Sequence, residues 1–371
     1  MRTLRHVLWL GLKELASLGR DPVMLVLILY TFSIAVYSVA QGLKMEVNNA
    51  SIAVADEDGS ALSRAITDAF LAPYFREPVN VKPGAIDRVM DAGRYTFVVN
   101  IPPRFQADVL AGQRPAVQVN VDATAMSQAG SGARYLRTII ASETRRFVHR
   151  GAAAPKPPVE LLTRVRFNPN LQGQWFTAVM QVINGITILS IVLVGAAVIR
   201  EREHGTLEHL LVMPLTATEI MLAKVWANGA AVLLAAGVSL YAVVQGWLGV
   251  PIAGSVTLFL AGAAMYLFAT TALGILLATL ARSMPQFGLL AIPAFIVMIL
   301  LSGATTPMQA MPELLQKLMQ ALPAPHFVRF AQAVLYRGAD ISVVWPDLAA
   351  IAGLGVVFFA LALHRFRVSL A

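Results

Sequence analysis

His204, Glu208 and His209, in the stretch "HGTLEH", are the nearest this chain comes to a metal-binding pattern. His204 and Glu208 stand four apart and share one face of a helix. His209 is five from His204 and points well away, so the three do not converge on one ion. The stretch reads as a solvated helix and not as a metal site. Other signatures of chemistry are missing. There is no H-E-x-x-H zinc pattern and no G-x-S-x-G nucleophile turn. No G-x-x-x-x-G-K-[ST] loop occurs, so the chain is not expected to bind and hydrolyse ATP through that motif. Cysteine is absent, which excludes disulfides and thiolate ligands. No catalytic residue is assigned.

The same stretch belongs to a dense charged segment. Arg200, Glu201, Arg202 and Glu203 are consecutive in a chain that is only 13% charged. Leu207, Leu210 and Leu211 follow at three–four spacing, which gives one apolar and one charged side. Gly205 permits a bend, and Pro214 ends that helix. Thr216 and Glu219 form a T-x-x-E capping box, so a new helix starts there and runs through Lys224. Residues 200–224 therefore read as helix, break, helix. Such a knob could take a push from a soluble partner; the plainer reading is a surface loop that caps two helices.

The elements around it are apolar. Hydrophobic residues make up 57% of the 371, and mean hydropathy is +0.65. A soluble domain has roughly 45–50% apolar and about 25% charged residues. The excess collects in runs at about 22–42, 175–199, 225–247, 257–281, 287–304 and 348–365. Most reach the ~20 residues that cross a bilayer, and the short run at 287–304 carries Pro293, which predicts a bend or an extension. The chain thus reads as a multi-pass membrane protein with six spans. Ahead of the first span, Leu4, Val7, Leu8, Leu12 and Leu15 recur at helical spacing with Arg5, Lys13 and Arg20 among them. That predicts a helix in the membrane interface, not a cleavable leader.

Short segments on one side of these spans hold ten Lys and Arg, against three on the other. The positive-inside bias then puts both termini in the cytoplasm. The net charge of +8 suits anionic lipid faces. No basic run is interleaved with aromatics, so nucleic acid is not expected as a partner.

Residues 43–174 are too long and too patterned for a loop. Strands are predicted at 51–56, 96–102 and 116–123, with a return strand at 160–167. Helices are predicted at 60–72, 84–93, 103–112 and about 129–149. The alternation implies an α/β layer on the outer side. A second outer segment, 305–347, offers amphipathic stretches at 311–322 and 326–336, which would either dip into the outer leaflet or lie on the surface. Span cores carry essentially no ionisable residue, which disfavours a proton-driven pump. Thr177, Gln181, Asn184 and Thr187 fall on one side of the second span. They would line a pathway, form a subunit interface or serve as interhelical hydrogen-bond glue.

With these residues in view, the chain resembles the ABC-2 type transporter permeases. Their signature, E-[RK]-E-x-G-T-x-E-x-L-L-x-x-P with Glu and Lys downstream, is matched by Glu201, Arg202, Glu203, Gly205, Thr206, Glu208, Leu210, Leu211, Pro214, Glu219 and Lys224. "LATLARSMPQ" (276–285), "NIPPRFQADVLAG" (100–112), "VNVDAT" (119–124), "RFNPN" (166–170) and "LYRGA" (335–339) resemble the bacterial inner-membrane exporter branch with a large periplasmic domain.

The resemblance implies an α-helical polytopic fold of six transmembrane helices, type V exporter-like, with an inserted α/β extracytoplasmic domain. Residues 1–42 would hold the interfacial helix and first span, 43–174 the periplasmic domain, and 175–371 the other five spans. The coupling helix would lie in 200–224, and re-entrant-like helices in 305–347. It implies a second permease half, identical or not, and two ATP-binding cassette subunits that carry ATP and Mg2+; no cofactor sits on this chain. Glu201 to Pro214 would dock on the ATPase. A periplasmic adaptor of the membrane-fusion type is a further implied partner, and efflux of drug-like or amphiphilic compounds the implied role. A competing reading is a membrane receptor or scaffold whose outer domain binds a protein. An intramembrane enzyme lacks any motif.

Overall fold

The computed structural model describes residues 2–42, 47, 49–124, 126–149, 166–168, 172–203, 205, 215–304 and 307–370. The chain divides into two compact units. One comprises 1–42, 167–169 and 174–371; the other comprises 43–166 and 170–173.

In the first unit, α1 (Arg2–Gly19) leads to α2 (Pro22–Phe32), which Asp21 caps by accepting from the amides of Val23 and Met24. Pro22 sits in the first turn, where its missing N–H costs nothing. After a turn at Ser33, α3 (Ile34–Gly42) completes the first apolar run.

The second unit is the inserted domain. Its elements are β1 (Ile52–Asp56), α4 (Ala61–Asp68), β2 (Val79–Asn80), α5 (Ile86–Asp91), β3 (Phe97–Ile101), α6 (Phe105–Leu110), β4 (Gln118–Val121) and α7 (Met126–Val148). The sheet order is β2-β1-β3-β4. β1 runs parallel to β2 and β3, with Ile52 opposite Phe97, and β4 closes antiparallel on β3. Phe97, Val99 and Ile101 alternate onto one face and join Leu62, Ile66 and Leu136 in a core of the domain's own. β2 was not expected; two exposed residues show no alternation to read. Most of the expected return strand, 160–165, lies outside the described residues, and Arg166–Asn168 are not strand.

The first unit resumes with α8 (Gly173–Glu203), 31 residues and buried over most of its length. Then come α9 (Ala217–Val238), continued as a π-helix to Trp247, α10 (Val256–Leu280), α11 (Met284–Leu300), α12 (Glu313–Met319), α13 (Pro323–Leu335) and α14 (Ile341–Leu370). Among the described residues, five helical stretches are long and apolar enough to cross a membrane: Pro22–Gly42, Gly173–Glu203, Ala217–Trp247, Val256–Leu280 and Ile341–Val368. The run expected at 287–304 is α11, a 17-residue helix with Pro293 inside it. At ~1.5 Å per residue it spans about 25 Å, less than a full hydrocarbon core.

α10 is the packing centre, against α9, α13 and α14. Gly274 lets it approach α8: a Cβ there would stand 2.9 Å from the Ile191 carbonyl oxygen. α13 is not a surface helix. Phe327 and Phe330 are fully buried, and the Phe327 ring stacks on Tyr266 at 4.0 Å.

Candidate functional site: the charged end of α8

The last turn of α8 presents four charged side chains in four directions, as consecutive positions about 100° apart must. Arg200 Nη1 donates to Asp21 Oδ2 at 2.6 Å. Asp21 thus holds α8 while capping α2. Its carboxyl lies below the usual aspartate range, first because the Met24 N–H donates to it and next because Arg200 does.

Glu201 turns inward. Its Oε1 lies 2.8 Å from Lys224 Nζ on α9, and the same ammonium is 3.1 Å from Glu14 Oε1 on α1. The Lys224 side chain is only 2% exposed. A buried ammonium requires such partners, since an unpaired charge there would cost several kcal/mol. Three helices therefore meet on one cation.

Arg202 Nη1 donates to the carbonyl oxygens of Ala281, at 2.6 Å, and Ala278, at 3.5 Å, at the C-terminal end of α10. Glu203 Oε1 accepts the N–H of Met284, at 2.9 Å, in the first turn of α11. Both match the helix dipole, a cation on a negative end and an anion on a positive end.

α1 fastens to α9 along its length. The Trp226 indole Nε1 donates to the Val7 carbonyl oxygen at 3.0 Å, and His6 Nδ1 lies 3.2 Å from Glu219 Oε1. Gly11 makes the contact sterically permissible, because a Cβ there would stand 2.1 Å from the Trp226 ring. Thr216 and Glu219 form both bonds of the capping box. Between α1, α2, α8 and α9 lies a cavity of about 300 Å³ that Glu14, Asp21, Arg200 and Glu201 help to line.

Of the residues singled out in the signature, Glu201, Arg202 and Glu203 are brought together here, with Gly205 just beyond at φ +67, a left-handed conformation that glycine adopts without strain. Thr206, Glu208, Leu210, Leu211 and Pro214 lie outside the described residues, as do His204 and His209. Among the described residues no group of three or more His, Asp or Glu is arranged to hold a metal.

The polar residues of the second span do not share one environment. Thr177 and Thr187 are buried within the chain, and Thr187 Oγ1 hydrogen-bonds the Tyr266 hydroxyl of α10 at 2.8 Å. Gln181 and Asn184 are half-buried.

Glu14 and Asp21 were missed as members of this cluster. A signal existed for the first: Glu14 is the lone acid among the basic residues 1–20. The sequence places Lys224 in the signature and in the helix leading into the third span, but gives it no partner. The helix carrying that span begins at Ala217, so Glu219 and Lys224 are buried within it and compensated from α1 and α8.

An all-helical membrane unit interrupted by an α/β insertion, with this charged segment at the end of its second span, defines a class. The chain belongs to the ABC-2 transporter family: the family model described as ABC-2 family transporter protein matches residues 22–364. It is 52% identical over 367 residues to the inner membrane transport permease YhhJ of Escherichia coli (strain K12), covering 99% of this chain and 98% of that protein. It is 31% identical over 354 residues to the probable multidrug ABC transporter permease YbhR of the same organism, covering 92% and 93%. For the probable multidrug ABC transporter permease YbhS, also of that organism, identity is 24% over 364 residues, covering 96% and 95%.

Proposed function

We propose that this chain is the permease half of an ATP-driven exporter in a bacterial inner membrane. Both termini face the cytoplasm and the inserted domain faces the periplasm. ATP and Mg2+ are held by separate ATP-binding cassette subunits, and a second permease half completes the pathway. Gln181 and Asn184, the half-buried members of the polar stripe, face that pathway or the second half. The relatives' descriptions as inner membrane and probable multidrug permeases support the location and a drug-like cargo; the proposed direction is outward, and the cargo is drug-like or amphiphilic.

The observation that carries the reading is the four-way attachment of residues 200–203. Arg200 reaches the α1–α2 junction, Glu201 reaches α9, Arg202 the end of α10 and Glu203 the start of α11. In sequence, residues 204–214 join this hub to the capped start of α9. A push on that segment from an ATPase reaches five helices at once, which is what a coupling element must do. Glu201 and Glu203 then work as internal ties, and the docking contacts fall to Thr206, Glu208, Leu210, Leu211 and Pro214.

The test separates these two roles. In membranes containing the ATPase partner, Glu208→Lys is expected to leave the permease folded while hydrolysis and transport uncouple. Reversal at Glu201 or Glu203 is expected to lower thermal stability as well. Normal coupling in Glu208→Lys would remove the docking assignment. A receptor or scaffold role draws support from the inserted domain's separate core. Pull-down from native membranes distinguishes the two: an ATPase in the complex favours transport, and its absence favours the receptor. A membrane-fusion adaptor, the partner expected for the inserted domain, would be caught in the same experiment.

A further inference from the structure

The inserted domain carries a groove that the transport reading does not use. It encloses about 610 Å³ between α6, the segment 113–117, β4 and α7. That is the size of a small-ligand pocket, roughly 300–1,000 Å³. The floor is apolar: Val109, Val117, Val119 and Ile140 are partly buried side chains resting on the domain core. The rim is cationic. Arg114 and Arg137 line the groove and are exposed, and no acidic residue lines it. Neither arginine forms an ion pair with a described residue. An apolar trough with two available guanidinium groups and no counter-ion is complementary to one kind of molecule.

We propose that this groove binds a single-chain amphiphile with a carboxylate head. The apolar body lies on Val109, Val117, Val119 and Ile140. The carboxylate is held by Arg114 and Arg137, whose planar guanidinium forks match its two oxygens. The site belongs to the inserted domain alone and does not depend on the chain's being an exporter.

The experiment uses the full-length chain in lipid nanodiscs without any ATPase. A palmitate analogue bearing a diazirine is photo-crosslinked and the labelled residues are mapped by mass spectrometry. Label is expected within 105–144, competed by palmitate and not by hexadecylamine, a cation of the same chain length. Arg114→Gln with Arg137→Gln is expected to lower labelling roughly tenfold or more, as loss of charge-assisted hydrogen bonds implies. Ala141→Trp, which fills the groove and keeps both arginines, is expected to abolish it with thermal unfolding unchanged. Undiminished labelling in the arginine double variant would overturn the proposal. So would equal competition by hexadecylamine, or stronger competition by phosphatidylglycerol, which would mark a site for bilayer lipid.

Discussion

At the scale of single residues, the centre of the first unit is the Lys224 ammonium. It is buried between two carboxylates from different helices, Glu14 and Glu201. Removing the cation alone leaves two carboxylates facing each other out of water. Lys224→Met is therefore expected to destabilise the protein by about 3–5 kcal/mol. Adding Glu14→Gln and Glu201→Gln should recover most of that loss, and tryptophan-fluorescence melting in detergent would read both. Asp21 offers a pH test. Its folded-state carboxyl titrates below the ordinary value, so the stability it contributes is complete above the unfolded pKa, about 4, and is lost as pH falls through the lowered folded pKa. Asparagine is an equally good N-cap, so Asp21→Asn isolates the charge. The wild-type advantage, of order 0.5–1 kcal/mol, should be constant from about pH 5 to 8 and shrink as acid protonates the folded-state carboxyl.

At the scale of elements, α1 is the piece whose placement the local pattern leaves most open. Its exposed Leu4, Leu8, Trp9 and Leu12 lie along one face, as an interfacial helix requires, while Gly11 and Val7 meet Trp226 on another. The α1–α9 seam is thus as specific as a core contact. Gly11→Leu is expected to force the Trp226 ring aside, break its bond to the Val7 carbonyl and detach α1 from α9. A cross-link engineered between His6→Cys and Glu219→Cys, which leaves Trp226 in place, would form readily in the parent and poorly in the Gly11→Leu background. Deletion of α1 would be a cruder test, since it removes Glu14 from the Lys224 cluster too. The inner helix α13 makes the converse point. Its apolar face is amphipathic enough to suit a surface, yet Phe327 and Phe330 are buried in the core with Tyr266 and Phe259.

At the scale of the whole molecule, the absence of cysteine makes the proposed topology directly measurable. Single cysteines at Ser60, in the inserted domain, and at Arg367, near the C-terminus, are expected to react with a membrane-impermeant maleimide from opposite sides of the membrane. Labelling of both from the same side would overturn the orientation. Much of this architecture was legible in the chain itself. Apolar runs of span length, and the apolar–polar alternation over 116–123 that places Val117, Val119 and Val121 against the domain core, are local properties that survive any tertiary arrangement. The same holds for the Thr216–Glu219 capping box, which needs only three residues of separation. The two-residue β2 was invisible because it carries no period, and the span at 284–300 came out short because apolar residues beyond Leu300 turn instead of continuing the helix. What the sequence by itself determined is therefore the membrane class, the inserted α/β domain and the presence of a charged break between the second and third spans. What only the tertiary structure decided is where those charges go. Arg200 finds Asp21 across 179 positions and Lys224 finds Glu14 across 210. No local pattern encodes such pairings; they are fixed by the cost of leaving a charge buried without a partner once the helices have packed.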